Sequence, residues 1–226
     1  MQGLVSIIMA VKNGERYLSK AIESVVCSPY RPIEIIVVDG QSSDSTPRIA
    51  QSFETVRYIL QENTGIADAY NVGIEASRGE FIGFLSCDDE WDPDKLTLQV
   101  SYLINNPAVY GTVSKVKFFL EEGCTMPRSF RAELLRENPA AFIMETLLVR
   151  KTVFDIVGKF NTQYAVAEDV DWFARAKDKH IDIAVIPHVL LAKRIHDRNA
   201  SLHCVENSKY LLTILRQSIE RGRHKE

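Results

Sequence analysis

Acidic side chains stand at the ends of apolar runs at several points of this sequence, and that placement indicates where its chemistry lies. In GEFIGFLSCDDEWDPDKL the apolar run 81–85 passes through Ser86 and Cys87 into Asp88, Asp89 and Glu90. The run 33–38 ends in Asp39, Glu168 and Asp169 open the segment EDVDWFARAKDK, and RIHDRNAS holds His196 between Arg194 and Arg198. Two adjacent aspartates on a loop offer hard oxygen ligands to Mg2+ or Mn2+, with a substrate's phosphates completing the octahedron. The same residues also make an ordinary acidic turn, in which Asp92 caps a helix and its neighbours favour the helix's positive end. Spacing alone leaves both readings open.

The elements that must position these side chains follow from periodicity. Val5–Val11 reads as a buried strand, 16–27 as a helix with apolar residues at helical spacing, and 33–38 as a second buried strand. Pro47 marks the start of another helix, Val56–Leu60 a third strand, and GIADAYNVGIEASRG a helix closed by Gly79 ahead of the acidic strand. Asp92-Pro93 then predicts a helix from Asp92 to about Asn105. Strands alternating with helices form a parallel sheet, whose carboxyl ends share one edge and there bind ligands. That edge brings Lys12, Asn13, Asp39 and Asp88 around one crevice.

The second half reads as a strand at 110–120, a polar loop, a strand at 142–149, a short helix at 151–156 and a helix opened by Glu168. Two strands follow, at 181–186 and 189–195, and 205–226 has a helical pattern with Leu211, Leu212, Leu215 and Ile219 on one side. This basic tail has three uses open to it: packing on the domain, pairing with a second subunit, or lying on an anionic membrane face.

Composition narrows the partners. With 226 residues, 46% hydrophobic and 25% charged, the chain has the makeup of one globular domain. A net charge of -3 and a pI of about 6.0 give no basic field, which disfavours nucleic acid. Cys27, Cys87, Cys124 and Cys204 form no CxxC pair, so they read as thiols of a reducing compartment rather than zinc ligands. The N-terminal apolar run lacks a basic flank and a cleavage site, so the expectation is a cytoplasmic protein, with peripheral contact at the inner membrane face compatible with the sequence. Neither GxGxxG, a Walker sequence, GxSxG nor HExxH occurs, which removes dinucleotide, kinase, hydrolase and zinc-protease readings.

Five blocks, VSIIMAVKNGERYL, EIIVVDGQSSDST, ENTGIADAYNVGIEASRGEFIGFLSCDDEW, VGKFNTQYAVAEDVDWFAR and RIHDRNAS, together resemble the family 2 glycosyltransferases, inverting enzymes of the GT-A fold. The resemblance implies a Rossmann-like α/β mixed sheet flanked by helices in a single compact domain over 1–205. Within it, 1–105 would be the nucleotide-sugar-binding half and 106–205 the half with the acceptor site and catalytic base, followed by a C-terminal helix at 206–226. It implies a nucleotide-activated donor, a UDP-sugar, and an acceptor hydroxyl on a saccharide, lipid-linked glycan or peptide. Donor contacts would come from Ala10, Val11, Lys12, Asn13, Asp39, Asp68, Ser86 and Asp88. A divalent cation, Mn2+ or Mg2+, would sit on Asp88, Asp89 and His196, with Arg194 and Arg198 beside the phosphates. Asp169 matches the general base, with Glu168 its rival. Ser86 stands where such enzymes usually carry the first acid of the metal motif. Two other readings remain: a nucleotidyltransferase of similar fold, and a binding module that keeps the nucleotide-sugar pocket without turnover.

Overall fold

The computed structural model describes residues 3–127, 130–196, 199 and 204–223, the last without the side chains of 204–209 and 223. The apolar runs form strands β1 (Val5–Val11), β2 (Ile33–Asp39), β3 (Val56–Leu60) and β4 (Phe81–Phe84). β1 pairs in parallel with β2 on one side and β4 on the other, and β3 extends the same parallel set. Helices α1 (Leu18–Val26), α2 (Thr46–Gln51) and α3 (Ile66–Ala76) make the crossovers. α1 buries Leu18, Ala21, Ile22 and Val25, one stripe at i, i+3, i+4 and i+7.

Beyond β4 come β5 (Glu90–Trp91), α4 (Lys95–Asn105) and β6 (Gly111–Leu120). They are followed by β7 (Leu148–Arg150), α5 (Val153–Val157), α6 (Glu168–Asp178), β8 (Ile183–Ile195) and α7 (Cys204–Arg223). The eight strands share one sheet in the order β3-β2-β1-β4-β7-β6-β8-β5. β7 runs antiparallel to both β4 and β6, and β5 antiparallel to β8, so the sheet is mixed. Apolar clusters cover it: one centred on Ile7, Ile22 and Leu96, another on Ile8, Phe84 and Trp172. This is the flanked α/β sheet, in one compact domain, that the sequence implies.

Three elements differ from the sequence expectation. The helix begins at Lys95 rather than Asp92, because pairing with β8 draws Glu90 and Trp91 into the sheet. Asp92 instead makes an Asx turn, its Oδ1 accepting from the Asp94 N–H at 3.0 Å. Only the end of 142–149 is strand; a 3-10 turn, Met144–Thr146, interrupts it. The expected strands 181–186 and 189–195 are one strand, β8, whose register against β6 skips Pro187 and His188 between Ile186 and Val189. Proline has no N–H for the ladder, so the irregularity falls there.

Gly79 sets the entry to β4. A Cβ there would stand 2.6 Å from Ser6 Oγ and 2.7 Å from both Leu4 O and Ser6 N. Backbone atoms of β1 cannot move aside, so Gly79→Ala is expected to cost about 1–3 kcal/mol by overpacking, seen as a lower denaturation midpoint at unchanged slope.

Candidate active site

Behind β4 the chain turns through Ser86–Asp89, the Asp89 N–H reaching Ser86 O at 3.3 Å, and enters β5. The end of β8 lies against this turn. Lys193 Nζ contacts Asp89 Oδ2 at 2.8 Å, and the Arg194 backbone N–H donates to Asp89 Oδ1 at 2.9 Å. Both oxygens of Asp89 are thereby taken inside the protein, and it is 1% exposed. Arg194 is equally committed. Its guanidinium pairs with Glu90 and Glu121, each at 2.6 Å, and lies between the rings of Tyr17 and Phe119.

Asp88 points elsewhere. Its Oδ2 lies 3.0 Å from His196 Nε2 and accepts from Asn199 Nδ2 at 3.1 Å, while His196 stacks on Tyr17 at 5.2 Å between centroids. Burial pushes the Asp88 carboxyl up, but His196 and the nearby Lys193 charge outweigh it and hold the group below its ordinary value. Asp88 and His196 line a cavity of about 810 Å³, together with Ala10, Lys12, Asn13 and Ser86 from the sheet edge.

The same cavity is lined by Glu145, Glu168 and Asp169. Ala167, left-handed at φ 68, turns the chain into α6 directly ahead of the two acids, a strained conformation for a residue with a Cβ. Asp169 Oδ1 accepts the Val170 N–H at 2.7 Å. Burial and the Glu145 charge push the Asp169 carboxyl up to about 6. Burial and Asp169 push Glu168 up to about 8. At neutral pH Asp169 is therefore the ionised member of the pair and Glu168 the protonated one. Asp171 belongs to a helix ion pair, 2.8 Å from Arg175 Nε.

Residues 6–162 match the family described as Glycosyl transferase family 2. The chain belongs to glycosyl transferase family 2. Among curated relatives, an uncharacterized glycosyltransferase of Rickettsia conorii is 32% identical over 215 residues, covering 88% of this chain and 35% of that protein. This chain thus spans about a third of that relative's length. Among solved structures, S. aureus TarS 1-349 in complex with UDP-GlcNAc gives a TM-score of 0.78 at 17% identity, over 98% of this chain and 69% of that one. Mannosyltransferase PcManGT from Pyrobaculum calidifontis, in complex with GDP-Man and Mn2+, gives 0.74 at 20% identity, over 97% of this chain and 65% of that one. These structures establish the GT-A fold.

Within this family 2 domain, the sequence-predicted residues separate into two groups. Ala10, Lys12, Asn13, Ser86, Asp88, Glu168, Asp169 and His196 share the cavity. Val11, Asp39, Asp68 and Asp89 do not line it. Asp39 is 0% exposed, its Oδ1 accepting from the Ser42 N–H and hydroxyl and its Oδ2 from the Tyr58 hydroxyl. Asp68 accepts from Gln61 at 2.8 Å and Asn63 at 3.3 Å at the start of α3. Arg198 lies outside the described residues. Trp91 and Trp172 are both core residues, with indole N–H groups on the Glu145 and Gly158 carbonyls.

Sequence reasoning missed Glu145 and Lys193. Glu145 is the lone charge inside the apolar run FIMETLLV, and a charge so placed is buried only when paired; Lys193, at the end of VLLAK and followed by Arg194, carries no such signal. Glu145 Oε1 accepts from Ser86 Oγ at 2.6 Å and Lys193 Nζ at 2.9 Å. Burial alone would lower the Lys193 ammonium, but Asp89, Glu145 and Asp88 hold it above its ordinary value.

Among the described residues no group of three or more His, Cys, Asp or Glu is arranged to hold a metal ion. Asp88 and His196 nevertheless fit a divalent cation of the kind that takes one or two protein ligands and fills its shell with phosphate oxygens and water. Asp89, fully bonded to β8, does not offer itself as a third ligand.

The raised Glu168 carboxyl makes stability fall as pH rises. The folded state keeps the proton up to about 8 while the unfolded chain releases it near 4.5, so the loss spreads over that window. Glu168→Gln is expected to melt roughly 3–8 °C above wild type at pH 8 and within about 2 °C of it at pH 5. An unchanging difference would mean an ordinary, solvated carboxyl.

Proposed function

We propose that this domain transfers a sugar from a nucleotide-activated donor, a UDP-sugar, to an acceptor hydroxyl of a saccharide or glycoconjugate, with inversion at the anomeric carbon. One observation carries the reading: a single cavity holds both Asp88 beside His196 and the perturbed pair Glu168 and Asp169. The nucleotide complexes of TarS and PcManGT support a nucleotide-sugar donor, and the Mn2+ of PcManGT supports a divalent cation.

In this reading the end of β1, at Ala10, Lys12 and Asn13, receives the nucleoside, and the buried Asp39 holds the neighbouring loop through Ser42. Asp88 and His196 would hold Mn2+ or Mg2+ at the diphosphate end, which would supply Lewis-acid stabilisation of the negative charge on the departing diphosphate. Asp169, in the same cavity, accepts the proton of the acceptor hydroxyl as its oxygen bonds the anomeric carbon and the bond to the diphosphate breaks on the opposite face. An acid tuned to about 6 suits that task at neutral pH, being ionised yet basic enough to take a proton. Residues 1–105 then supply the donor site and 106–205 the base and acceptor side.

No helix among the described residues is long and apolar enough to cross a membrane. Leu212, Leu215 and Ile219 are exposed along α7 with Arg216 beside them, which supports peripheral contact with an anionic membrane and a lipid-linked acceptor.

Asp169→Asn keeps the side chain's shape and removes its basicity. It is expected to lower kcat by roughly 10²–10⁴-fold while leaving the Kd of the nucleotide-sugar nearly unchanged, and the wild-type acid limb is expected near pH 6. Full turnover by the variant would remove Asp169 from the base role. Donor binding without turnover by the wild type, over any acceptor panel, would favour the binding module.

A further inference from the structure

Glu145 lies on the turn Met144–Thr146, held from beneath by Lys95 Nζ and Gln99 Nε2, which donate to Thr146 O at 2.9 and 3.0 Å. Both side-chain contacts of its carboxylate, from Ser86 and Lys193, fall on Oε1, and the Glu145 backbone N–H also bears on the group. Among the described residues no side chain donates to Oε2. Glu145 is 8% exposed, yet the fully enclosed, unpaired side-chain atoms among the described residues are Gln99 Oε1 and Arg221 Nη2. Oε2 therefore opens onto the cavity that Glu145 lines.

Its neighbours indicate what it meets. Ser86, two residues before Asp88, bonds to it, and its charge acts on Asp169 and Glu168, which line the same cavity. A group within range of both the diphosphate end and the base faces the ring whose anomeric carbon reacts. We infer that Glu145 is a donor-sugar specificity residue: its unshared oxygen accepts a hydrogen bond from a sugar hydroxyl, favouring neutral hexosyl and N-acetylhexosaminyl donors and rejecting hexuronosyl donors. The inference rests on the nucleotide-sugar reading above.

Three facts support it. Burial pushes the Glu145 carboxyl up, but Lys193 and the Ser86 hydroxyl outweigh that push, and the group stays ionised, hence acceptor-only. Those same contacts fix its rotamer, so the free oxygen is preorganised. A second carboxylate brought beside it meets like-charge repulsion, whereas a hydroxyl gains a charge-assisted bond.

The test is calorimetric binding of UDP, UDP-glucose, UDP-N-acetylglucosamine and UDP-glucuronate, with Mn2+, to wild type, Glu145→Gln and Glu145→Asp. Wild type should bind a neutral sugar nucleotide at least about 10-fold more tightly than UDP-glucuronate. Glu145→Gln keeps an oxygen for Ser86 and Lys193 but removes the charge. It should weaken the neutral donor roughly 10-fold or more, cut the neutral-to-uronate preference by a similar factor, and leave UDP within about 3-fold. Glu145→Asp keeps the charge and should retain exclusion of UDP-glucuronate, and its behaviour decides the matter if the glutamine variant does not fold. An unchanged preference in Glu145→Gln, or UDP weakened as much as the sugar nucleotide, overturns the inference alone. Wild type that binds none of the four overturns the donor reading and the inference with it.

Discussion

Lys193 is a largely buried cation at the cavity's edge, and the arrangement of the site depends on how it is neutralised. Its ammonium bridges Asp89 on the turn after β4 and Glu145 on the turn before β7. β8 carries Lys193, so one charge fastens three separate segments at the point where they meet the cavity. Removing one member of a buried ion pair leaves an uncompensated charge, a loss of about 3–5 kcal/mol. The set is thus a positioning device, whatever its net contribution to stability. The Trp91 indole on the Glu145 carbonyl and the Lys95 ammonium on Thr146 O tie the same turn to the core.

The electrostatics of the cavity follow from that bridge. Glu145 is compensated by Lys193, and Asp88 is held down by His196 and Lys193, so these two acids stay ionised despite burial, whereas at Asp89 burial outweighs the Lys193 charge and pushes the carboxyl up to about 7. Among the described residues Glu168 and Asp169 have no cation in contact, and burial moves both upward. The Tyr70 phenol, raised chiefly by burial, also feels Glu145, Glu168, Asp169 and Asp88, which shows how closely the four acids converge. One cavity therefore holds ionised acids at Asp88 and Glu145 and upward-shifted carboxyls at Glu168 and Asp169.

The parallel half of the fold was legible because its strands are continuous apolar runs ending in polar loops: β1, β2, β3 and β4 fall where the sequence places them. What the sequence concealed was long-range pairing. β8 recruits Glu90 and Trp91 into the sheet and moves the start of α4, and nothing local in EWDPD reports that. Asp88 and Asp89 are neighbours of the same type, yet one lines the cavity and the other is consumed by β8, a distinction made by residues about a hundred positions away. Glu145 was read as part of a strand, although a single acid inside an apolar run was the available sign of a buried, paired charge.

The account turns on a nucleoside diphosphate, held with a divalent cation at Asp88 and His196, sharing its cavity with Asp169. Thermal unfolding with UDP addresses that claim most directly, measured with Mn2+ and with chelator for wild type and Asp88→Ala. Ligand at about a hundred times its Kd stabilises by about 2.7 kcal/mol, a shift of several degrees in a domain of this size. The account predicts that shift in wild type with Mn2+, and its loss with chelator or in Asp88→Ala. A shift equally large in chelator and in Asp88→Ala would contradict it, as would no shift with any nucleoside diphosphate.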